Sequence, residues 1–98
     1  MKILTIIELA ASADVSEVRR NLNAELRESW KLFSEDFVRE AYTTDDSGRV
    51  VFVLEAIDRA AAETELRRLP LVKLGYFSVR LIELRPFSNW ARLFSEPV

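Results

Sequence analysis

Carboxylates set among apolar strand residues are the side chains of this sequence best suited to chemistry. The stretch VVFVLEAI (50–57) has one charge, Glu55, in an otherwise apolar run, and KILTIIELA near the N-terminus has Glu8 in a similar setting. A partly buried carboxylate acquires a raised pKa and can then carry a proton near neutral pH. Glu55 and, second, Glu8 are therefore the candidate catalytic acid–base residues.

Arg39 and Tyr42, in FVREAYTT, are candidate catalytic partners. An arginine can hold a substrate carboxylate through a bidentate contact, and a tyrosine hydroxyl can donate to a developing enolate. In a regular strand they lie on opposite faces, so they share a pocket only through a bulge or across a dimer. The plainer alternatives are an edge charge and a surface aromatic, and, for Glu55, a structural carboxylate that pairs with Arg80 or faces Glu8.

Five residues are expected to bind a substrate: Trp30, Phe37, Tyr76, Phe77 and Arg80. The aromatic ones, together with Phe33, have the size to line an apolar pocket for a small ring between helix and sheet. The alternative is that these aromatics are ordinary core residues, as large apolar side chains of a small domain usually are.

The composition excludes several kinds of chemistry. The chain has no Cys and no His, which excludes thiol nucleophiles, histidine bases, disulfides and the usual zinc or copper sites, and we expect no cofactor. The formal charge is −2 with both signs interspersed, so no nucleic-acid footprint is present. Neither a membrane span of roughly 20 apolar residues nor a signal peptide is found, and a cytoplasmic protein is expected.

Two helices and four strands are predicted to position these residues. Lys2–Ala10 indicates a strand, and Asp14 caps a helix whose apolar stripe runs to about residue 33. That stripe, spaced by four, four, four and three, is Val18, Leu22, Leu26, Trp30 and Phe33. The helix ends at Ser34-Glu35-Asp36, where Asp36 can take the left-handed turn that a glycine often makes.

The second half repeats this pattern after a hairpin. Strands are predicted at Phe37–Thr44 and Val50–Ile57, with Gly48 supplying a positive φ between them. The second helix follows the N-cap Asp58 and stops at Pro70, with Ala62, Leu66 and Leu69 on one face. Strand Tyr76–Leu84 completes the order β-α-β-β-α-β, and NWARLF suggests one further helical turn. This order predicts a single ferredoxin-like α+β domain over residues 1–98, with an antiparallel four-stranded sheet, both helices on one face, and the first and third strands central.

Strand alternation separates the sheet into two apolar faces. The set expected beneath the helices is wholly apolar: Ile3, Ile7, Leu9, Val50, Phe52, Leu54, Ala56, Phe77, Val79 and Leu81. The opposite face would expose Leu4, Ile6, Val51, Val53, Ile82 and Leu84. Covering them is worth roughly 1.5 to 3 kcal/mol for each fully buried side chain, so we expect a homodimer through the sheet faces. The alternative is a monomer with an apolar surface.

Three segments carry a family resemblance: LPLVKLGYFSVRLIELRPF (69–87), WKLFSEDFVREAY and VFVLEA. Together they resemble the muconolactone isomerase-like and YCII-like members of the dimeric α+β barrel superfamily. The resemblance implies two ferredoxin-like subunits packed sheet against sheet, and further assembly into a larger homo-oligomer is left open. It covers most of the chain but includes no catalytic signature, and the chain differs from such relatives in having no His.

The resemblance implies a small-molecule ligand. The expected function is a muconolactone isomerase-like enzyme, or a ligand-binding protein, in which a carboxylate moves a proton next to the carbonyl of a small lactone while Arg39 or Arg80 stabilises negative charge. The alternatives are a non-catalytic metabolite-binding or assembly module and a cofactor-free oxygenase of a small aromatic. In the tail, residues 86–98, Trp90 and Phe94 are expected to anchor on a partner subunit or on the same one.

Overall fold

A computed structural model describes residues 1–95. The strands are β1 (Lys2–Leu9), β2 (Val38–Thr43), β3 (Arg49–Glu55) and β4 (Phe77–Leu84). The helices are α1 (Val15–Ser34), α2 (Arg59–Leu66), α3 (Pro70–Lys73) and α4 (Arg92–Ser95), with a 3₁₀ helix at Ser88–Ala91. Apart from the short α3, which replaces a predicted irregular connection, these are the predicted elements. Their ends differ from prediction by one or two residues, except that α2 ends at Leu66, three residues before the predicted end.

The sheet is antiparallel throughout, in the order β2-β3-β1-β4. The first and third strands are central and β2 is an edge strand, as predicted. Apolar residues of the helices and of one sheet face form a single core, so the helices cover one face only. The expected fold class, α+β with a ferredoxin-like arrangement, is confirmed.

The core lies between the helices and what we call the inner face of the sheet. Its buried members are Ile3, Ile7, Leu32, Val38, Phe52, Leu54, Ala62, Leu66, Leu69 and Leu81. Val50, Ala56, Phe77 and Val79 pack against them, as predicted. Two expectations for the inner face were wrong. It is not wholly apolar, because Thr5 lies on it with a buried hydroxyl that has no hydrogen-bond partner within residues 1–95, and Leu9 is half exposed at the end of its strand.

Helix α1 begins and ends as the sequence predicts. The Asp14 carboxylate accepts hydrogen bonds from the backbone N–H groups of Ser16 and Glu17, which satisfies two of the free donors of the first turn. Beyond the last turn, Asp36 takes a φ of 65°, and the N–H of Phe37 donates to the carbonyl of Leu32. This closure is typical of a helix that ends in a left-handed residue.

The apolar stripe of α1 turns away from the core along the helix. Leu26, Trp30 and Phe33 are 57%, 65% and 45% exposed. Each step of four residues advances 40° beyond a full turn, so a stripe spaced by fours winds around the helix and leaves the sheet. The residues of α1 that are buried are Glu25 and Leu32, seven positions apart.

The β2–β3 hairpin differs from prediction at two points. The positive φ of the turn belongs to Ser47 (57°), whereas Gly48 takes none; the Asp46 carboxylate accepts the Gly48 N–H at 2.9 Å and holds the loop. At the start of β2 the register shifts between Val38 and Glu40, which leaves Arg39 in a bulge.

Residues 85–95, which we call the C-terminal arm, extend away from the rest of the molecule. The radius of gyration is 16.6 Å, against about 13 Å for a compact chain of this length, and the longest dimension is 64 Å. Every residue of the arm is exposed. Residues 96–98 of the predicted tail lie outside the described residues. No helix within residues 1–95 is long and apolar enough to cross a membrane.

Candidate functional site

The main concave surface of apolar character is a groove between α1 and the β2–β3 half of the inner face, which we call the α1 groove. Its deeper part, about 360 Å³, is lined by Ile7, Leu22, Glu25, Leu26, Ser29, Ala41, Tyr42, Thr43, Val50, Phe52 and Phe77. Its shallower part, about 330 Å³, shares several of these residues and adds Trp30, Phe33 and Val38. Both volumes fall in the range of small-ligand pockets.

The groove exists because small side chains lie where helix and sheet approach each other. Ser29 on α1 and Ala41 on β2 line both parts of it. Ala41 lies opposite the buried Phe52 in the strand register and is itself exposed. Because its side chain is small, the sheet edge stays open there. The groove therefore opens to solvent along the edge formed by β2.

Glu25 is the ionisable residue at the base of this groove. It is 6% exposed, and its Oε1 accepts a hydrogen bond from the backbone N–H of Leu71, in the first turn of α3, at 2.8 Å. Burial raises the pKa of the Glu25 carboxyl, and the hydrogen bond from Leu71 opposes part of that rise. No hydrogen bond to its second oxygen occurs among residues 1–95, so this oxygen is available to a ligand.

Glu55, the first candidate from the sequence, has the opposite environment. Its side chain is 43% exposed, and Oε1 accepts a hydrogen bond from the N-terminal ammonium of Met1 at 2.9 Å. That hydrogen bond is the main reason why the pKa of Glu55 is lowered, with smaller contributions from the charges of Met1, Arg39 and Lys2. The expected rise in the pKa of Glu55 is therefore wrong.

The expected contacts of Glu55 with Glu8 or Arg80 also do not occur within residues 1–95. Glu55 lies opposite Lys2 and Glu8 opposite Arg49, at the two ends of β1, which puts them about 20 Å apart. Glu8 forms an ion pair with Arg49 at 3.1 Å, and Arg80 lies opposite Ile6 in the middle of β1. One subunit thus does not bring these three charges together, and their catalytic role stays a prediction.

Arg39 and Tyr42 do not form a common site either, although the bulge that could have aligned them is present. Arg39 Nε donates to the carbonyl of Asp36 at 2.6 Å. The Tyr42 hydroxyl donates to Glu40 Oε1 at 2.6 Å, and this hydrogen bond raises the pKa of Tyr42. Tyr42 belongs to the rim of the α1 groove, and Arg39 does not line it.

The predicted substrate-binding residues are divided among several surfaces. Trp30 and Phe77 line the shallow and deep parts of the α1 groove. Phe37 lines a separate cleft with Glu55 at the end of the sheet. Tyr76 is half-buried just before β4, and Arg80 is exposed on an edge strand. Of the five predicted substrate-binding residues, Trp30 and Phe77 therefore line the same groove.

Glu25 is the residue that sequence reasoning missed. Val18, Glu25 and Leu32 are spaced by seven, which is the repeat of one helix face, and a carboxylate between two apolar residues at that spacing was the available signal. The stripe spaced by fours indicated a different face of the helix, whose residues Leu26, Trp30 and Phe33 are exposed. Within residues 1–95, no three His, Cys, Asp or Glu side chains are grouped closely enough to hold a metal ion.

The structure is thus a ferredoxin-like α+β fold with an apolar groove along one edge of its sheet. No protein-family model matches the sequence, and neither does any curated protein. Among solved structures, 5-chloro-2-hydroxyhydroquinone dehydrochlorinase (TftG) from Burkholderia phenoliruptrix, in complex with 2,5-dihydroxybenzoquinone, is similar to this chain with a TM-score of 0.68. The match covers 91% of this chain and 98% of that one at 15% identity, so it shows the fold alone.

Proposed function

We propose that this protein is a small-molecule enzyme or ligand-binding protein that takes a compact cyclic carbonyl compound into the α1 groove. The observation that carries the proposal is one buried carboxylate with a raised pKa, Glu25, at the base of an otherwise largely apolar groove. Apolar walls with few polar groups are typical of ligand sites, and a carboxylate with a perturbed pKa is typical of catalytic ones.

The structural neighbour supports the class of ligand. It is named as a dehydrochlorinase of a chlorinated hydroxyhydroquinone, and its structure contains a dihydroxybenzoquinone. A planar six-membered ring of that kind, or a lactone ring, is of a size suited to a groove of about 360 Å³.

In the catalytic form, which is muconolactone isomerase-like, Glu25 moves a proton. Its free carboxylate oxygen takes a proton from the carbon next to the ligand carbonyl, and the electron pair of the broken C–H bond forms an enolate. The protonated Glu25 then returns the proton to another carbon of the conjugated system, so the substrate is isomerised without net change of atoms. A carboxyl with a raised pKa suits both steps. In the non-catalytic form, the groove binds its ligand without this transfer.

We also propose that two copies associate through the open face of the sheet, which lies opposite the inner face. Leu4, Ile6, Val51, Val53 and Ile82 are half-buried there, Leu84 is 38% exposed, and no helix within residues 1–95 covers them. A contiguous apolar surface of this kind is typical of an association site. The proposed homodimer leaves the α1 groove of each subunit accessible, because the groove lies on the other side of the sheet.

A titration followed by amide NMR tests the ligand site, with 2,5-dihydroxybenzoquinone and a γ-lactone as probes. We expect shifts at Leu26, Ser29 and Phe52. Ala41→Leu should weaken binding at least tenfold, because the larger side chain fills the part common to both halves of the groove. Ala60→Leu, on the exposed surface of α2, is the matched control and should bind as the unmodified protein does. Shifts confined to the open face, or equal binding by both variants, would refute the proposed site.

A further inference from the structure

We propose that a second groove, along the opposite edge of the sheet from the α1 groove, binds a small organic carboxylate with an apolar body. We call it the β4 groove. It has a volume of about 350 Å³ and is lined by Arg59, Glu63, Leu66, Arg67, Val72, Val79, Arg80 and Leu81. It shares no lining residue with the α1 groove, so the inference goes beyond the proposed function and does not rest on it.

The β4 groove has an apolar floor between α2 and the edge strand β4. Leu66 of α2 and Leu81 of β4 are 2% and 7% exposed, and Val72 and Val79 are half-buried. Val79 and Leu81 alternate onto the inner face, and the groove opens to the side because β4 is the last strand of the sheet. A ring or a short chain bound on this floor would leave water while its polar end stays at the rim.

Three arginines and one acid surround the apolar floor. Arg59 and Glu63 lie four residues apart on one face of α2, Arg67 follows the helix as its C-cap, and Arg80 lies on the edge strand. Three positive charges and one negative charge give the lining a formal charge of +2, whereas the whole chain has a formal charge of −2. A concave surface lined mainly by one sign of charge attracts ligands of the opposite sign, so the groove favours an anion.

Most of this positive charge is not neutralised by the protein. Arg67 and Arg80 form no ion pair with any residue of 1–95. Arg59 Nε lies 3.4 Å from Glu63 Oε1, and both side chains are about half exposed. An exposed pair of this kind contributes little to stability, so its partners can exchange for a ligand at small cost.

The neighbouring Arg68 shows how differently an arginine is placed where its role is structural. Its two terminal nitrogens lie 2.8 Å from Glu35 Oε2 and 2.9 Å from Glu65 Oε2, and these contacts connect α2 to the end of α1. Arg67, one position earlier, points to the other side of α2 and lines the groove. The acids near this end of α2 therefore neutralise Arg68 and leave the charge of Arg67 available.

The combination of guanidinium groups and an apolar floor indicates the class of ligand. A guanidinium binds a carboxylate through two parallel hydrogen bonds, and it is less strongly hydrated than an ammonium group. The floor adds the burial of the ligand's apolar body, and a volume of about 350 Å³ is typical of small-ligand sites. An aromatic carboxylate such as benzoate has both features, whereas acetate has only the charge and benzyl alcohol has only the apolar body.

A titration with benzoate, followed by amide NMR, locates the binding. We expect shifts at Arg67, Val72 and Leu81, and none at Leu26 and Ser29 of the α1 groove. Acetate and benzyl alcohol should each bind at least about tenfold more weakly than benzoate, because each lacks one of the two interactions. Acetate that binds as tightly as benzoate would overturn the inference, since the apolar floor would then have no part in binding.

Arg67→Gln tests the charge of the groove. It should weaken the binding of benzoate at least about tenfold, because charge-assisted hydrogen bonds to the carboxylate are lost. Arg27→Gln is the matched control, since it removes the same charge from an exposed position of α1 that lines neither groove. An equal loss of affinity in both variants would mean that only the net charge matters and would overturn the site.

Glu63→Gln tests the same site through a gain of affinity, which damage to the fold cannot produce. Removing this acid frees Arg59 and raises the formal charge of the lining to +3, so benzoate should bind at least about threefold more tightly. Glu17→Gln is the control, because it breaks a comparable helix ion pair, with Arg20, outside the groove. Unchanged or weaker binding by Glu63→Gln would overturn the assignment of the lining.

These outcomes are separate from those of the proposed function. Benzoate shifts in the β4 groove, together with a failed titration of the α1 groove by 2,5-dihydroxybenzoquinone and the γ-lactone, would support the carboxylate site and refute the proposed ligand site. Benzoate shifts confined to Leu26, Ser29 and Phe52 would overturn the carboxylate site and leave the proposed function standing.

Discussion

Glu25 and Glu55 lie on opposite sides of the same sheet, and the same side chain has opposite properties in the two places. Glu25, on the buried side of α1, is almost fully buried, receives one backbone hydrogen bond and has a raised pKa. Glu55, at the end of a central strand, is exposed, pairs with an ammonium group and has a lowered pKa. A charge inside an apolar run of sequence is thus not evidence of burial, because strand ends reach solvent. A charge on the sheet side of a helix is the stronger indication.

The largest expected effect is on proton transfer. Glu25→Gln should lower the rate at which the proton next to the carbonyl of a bound γ-lactone exchanges with solvent deuterium by at least about a hundredfold, because general-base catalysis contributes that much. Glu55→Gln should change the rate by less than about twofold, since a base of lowered pKa removes protons poorly at neutral pH. Deuterium incorporation followed by NMR gives both rates.

The reverse pattern would move the active site from the α1 groove to the end of the sheet where Glu55 lies. Glu25→Gln is nearly isosteric and keeps an acceptor for the Leu71 N–H, so a loss of rate in this variant reflects the missing carboxylate. If bound ligand shows no exchange with any variant, the protein is a non-catalytic binder.

The next effect concerns the open face itself. Ile6→Asp should raise the dimer dissociation constant by about 10² to 10³-fold, because an unpaired charge in a buried interface costs several kcal/mol. Asn23→Asp adds the same charge on an exposed part of α1 and is the control. Sedimentation equilibrium measures both. A dimer equally stable in both variants would show that the open face is not the interface. Glu25 would then be the remaining evidence that the two faces of the sheet differ in function.

The smallest expected effect is on the pH dependence of stability, where the two carboxylates differ in sign. The folded-state pKa of Glu25 is raised above its unfolded value of about 4.3, so Glu25 reduces the free energy of unfolding progressively as pH rises above that value. The folded-state pKa of Glu55 is lowered, so Glu55 adds stability above about pH 4.3 and loses it as pH falls through its folded pKa.

Urea unfolding from pH 4 to pH 8 at one protein concentration measures this difference. Relative to the unmodified protein, Glu25→Gln should become more stable as pH rises, and Glu55→Gln should become less stable by a smaller amount. The same slope for both variants would mean that Glu25 is not held in a buried environment.

The secondary structure and strand order were largely predictable because they rest on local signals. Asp14 and Asp58 cap their helices as expected, Asp36 takes the left-handed turn, and Ala62, Leu66 and Leu69 are buried together. Capping, turn geometry and alternation act over a few residues, so one sequence suffices to identify them. Ser47 was missed because two neighbouring turn residues, Ser47 and Gly48, were both able to take the positive φ.

The candidate site was predicted less well because it depends on contacts between distant parts of the chain. Trp30 and Phe77 were identified as lining a space between helix and sheet, and both do. Glu25, which lines the same groove, was not identified. Its burial depends on how α1 is rotated about its axis, and on the Leu71 N–H of α3, 46 residues away in sequence, which donates to it. Neither is visible in local periodicity.

By itself the sequence determined the ferredoxin-like order of elements, the two apolar faces of the sheet and the absence of histidine and cysteine chemistry. These follow from residue type and from spacing along the chain, which operate before any long-range contact forms. Only the tertiary structure decided which carboxylate is buried, that the stripe of α1 leaves the core to form a groove, and that the C-terminal arm extends away from residues 1–84. Those depend on side chains excluded from water by partners far away in sequence, and burial is a property of the assembled fold.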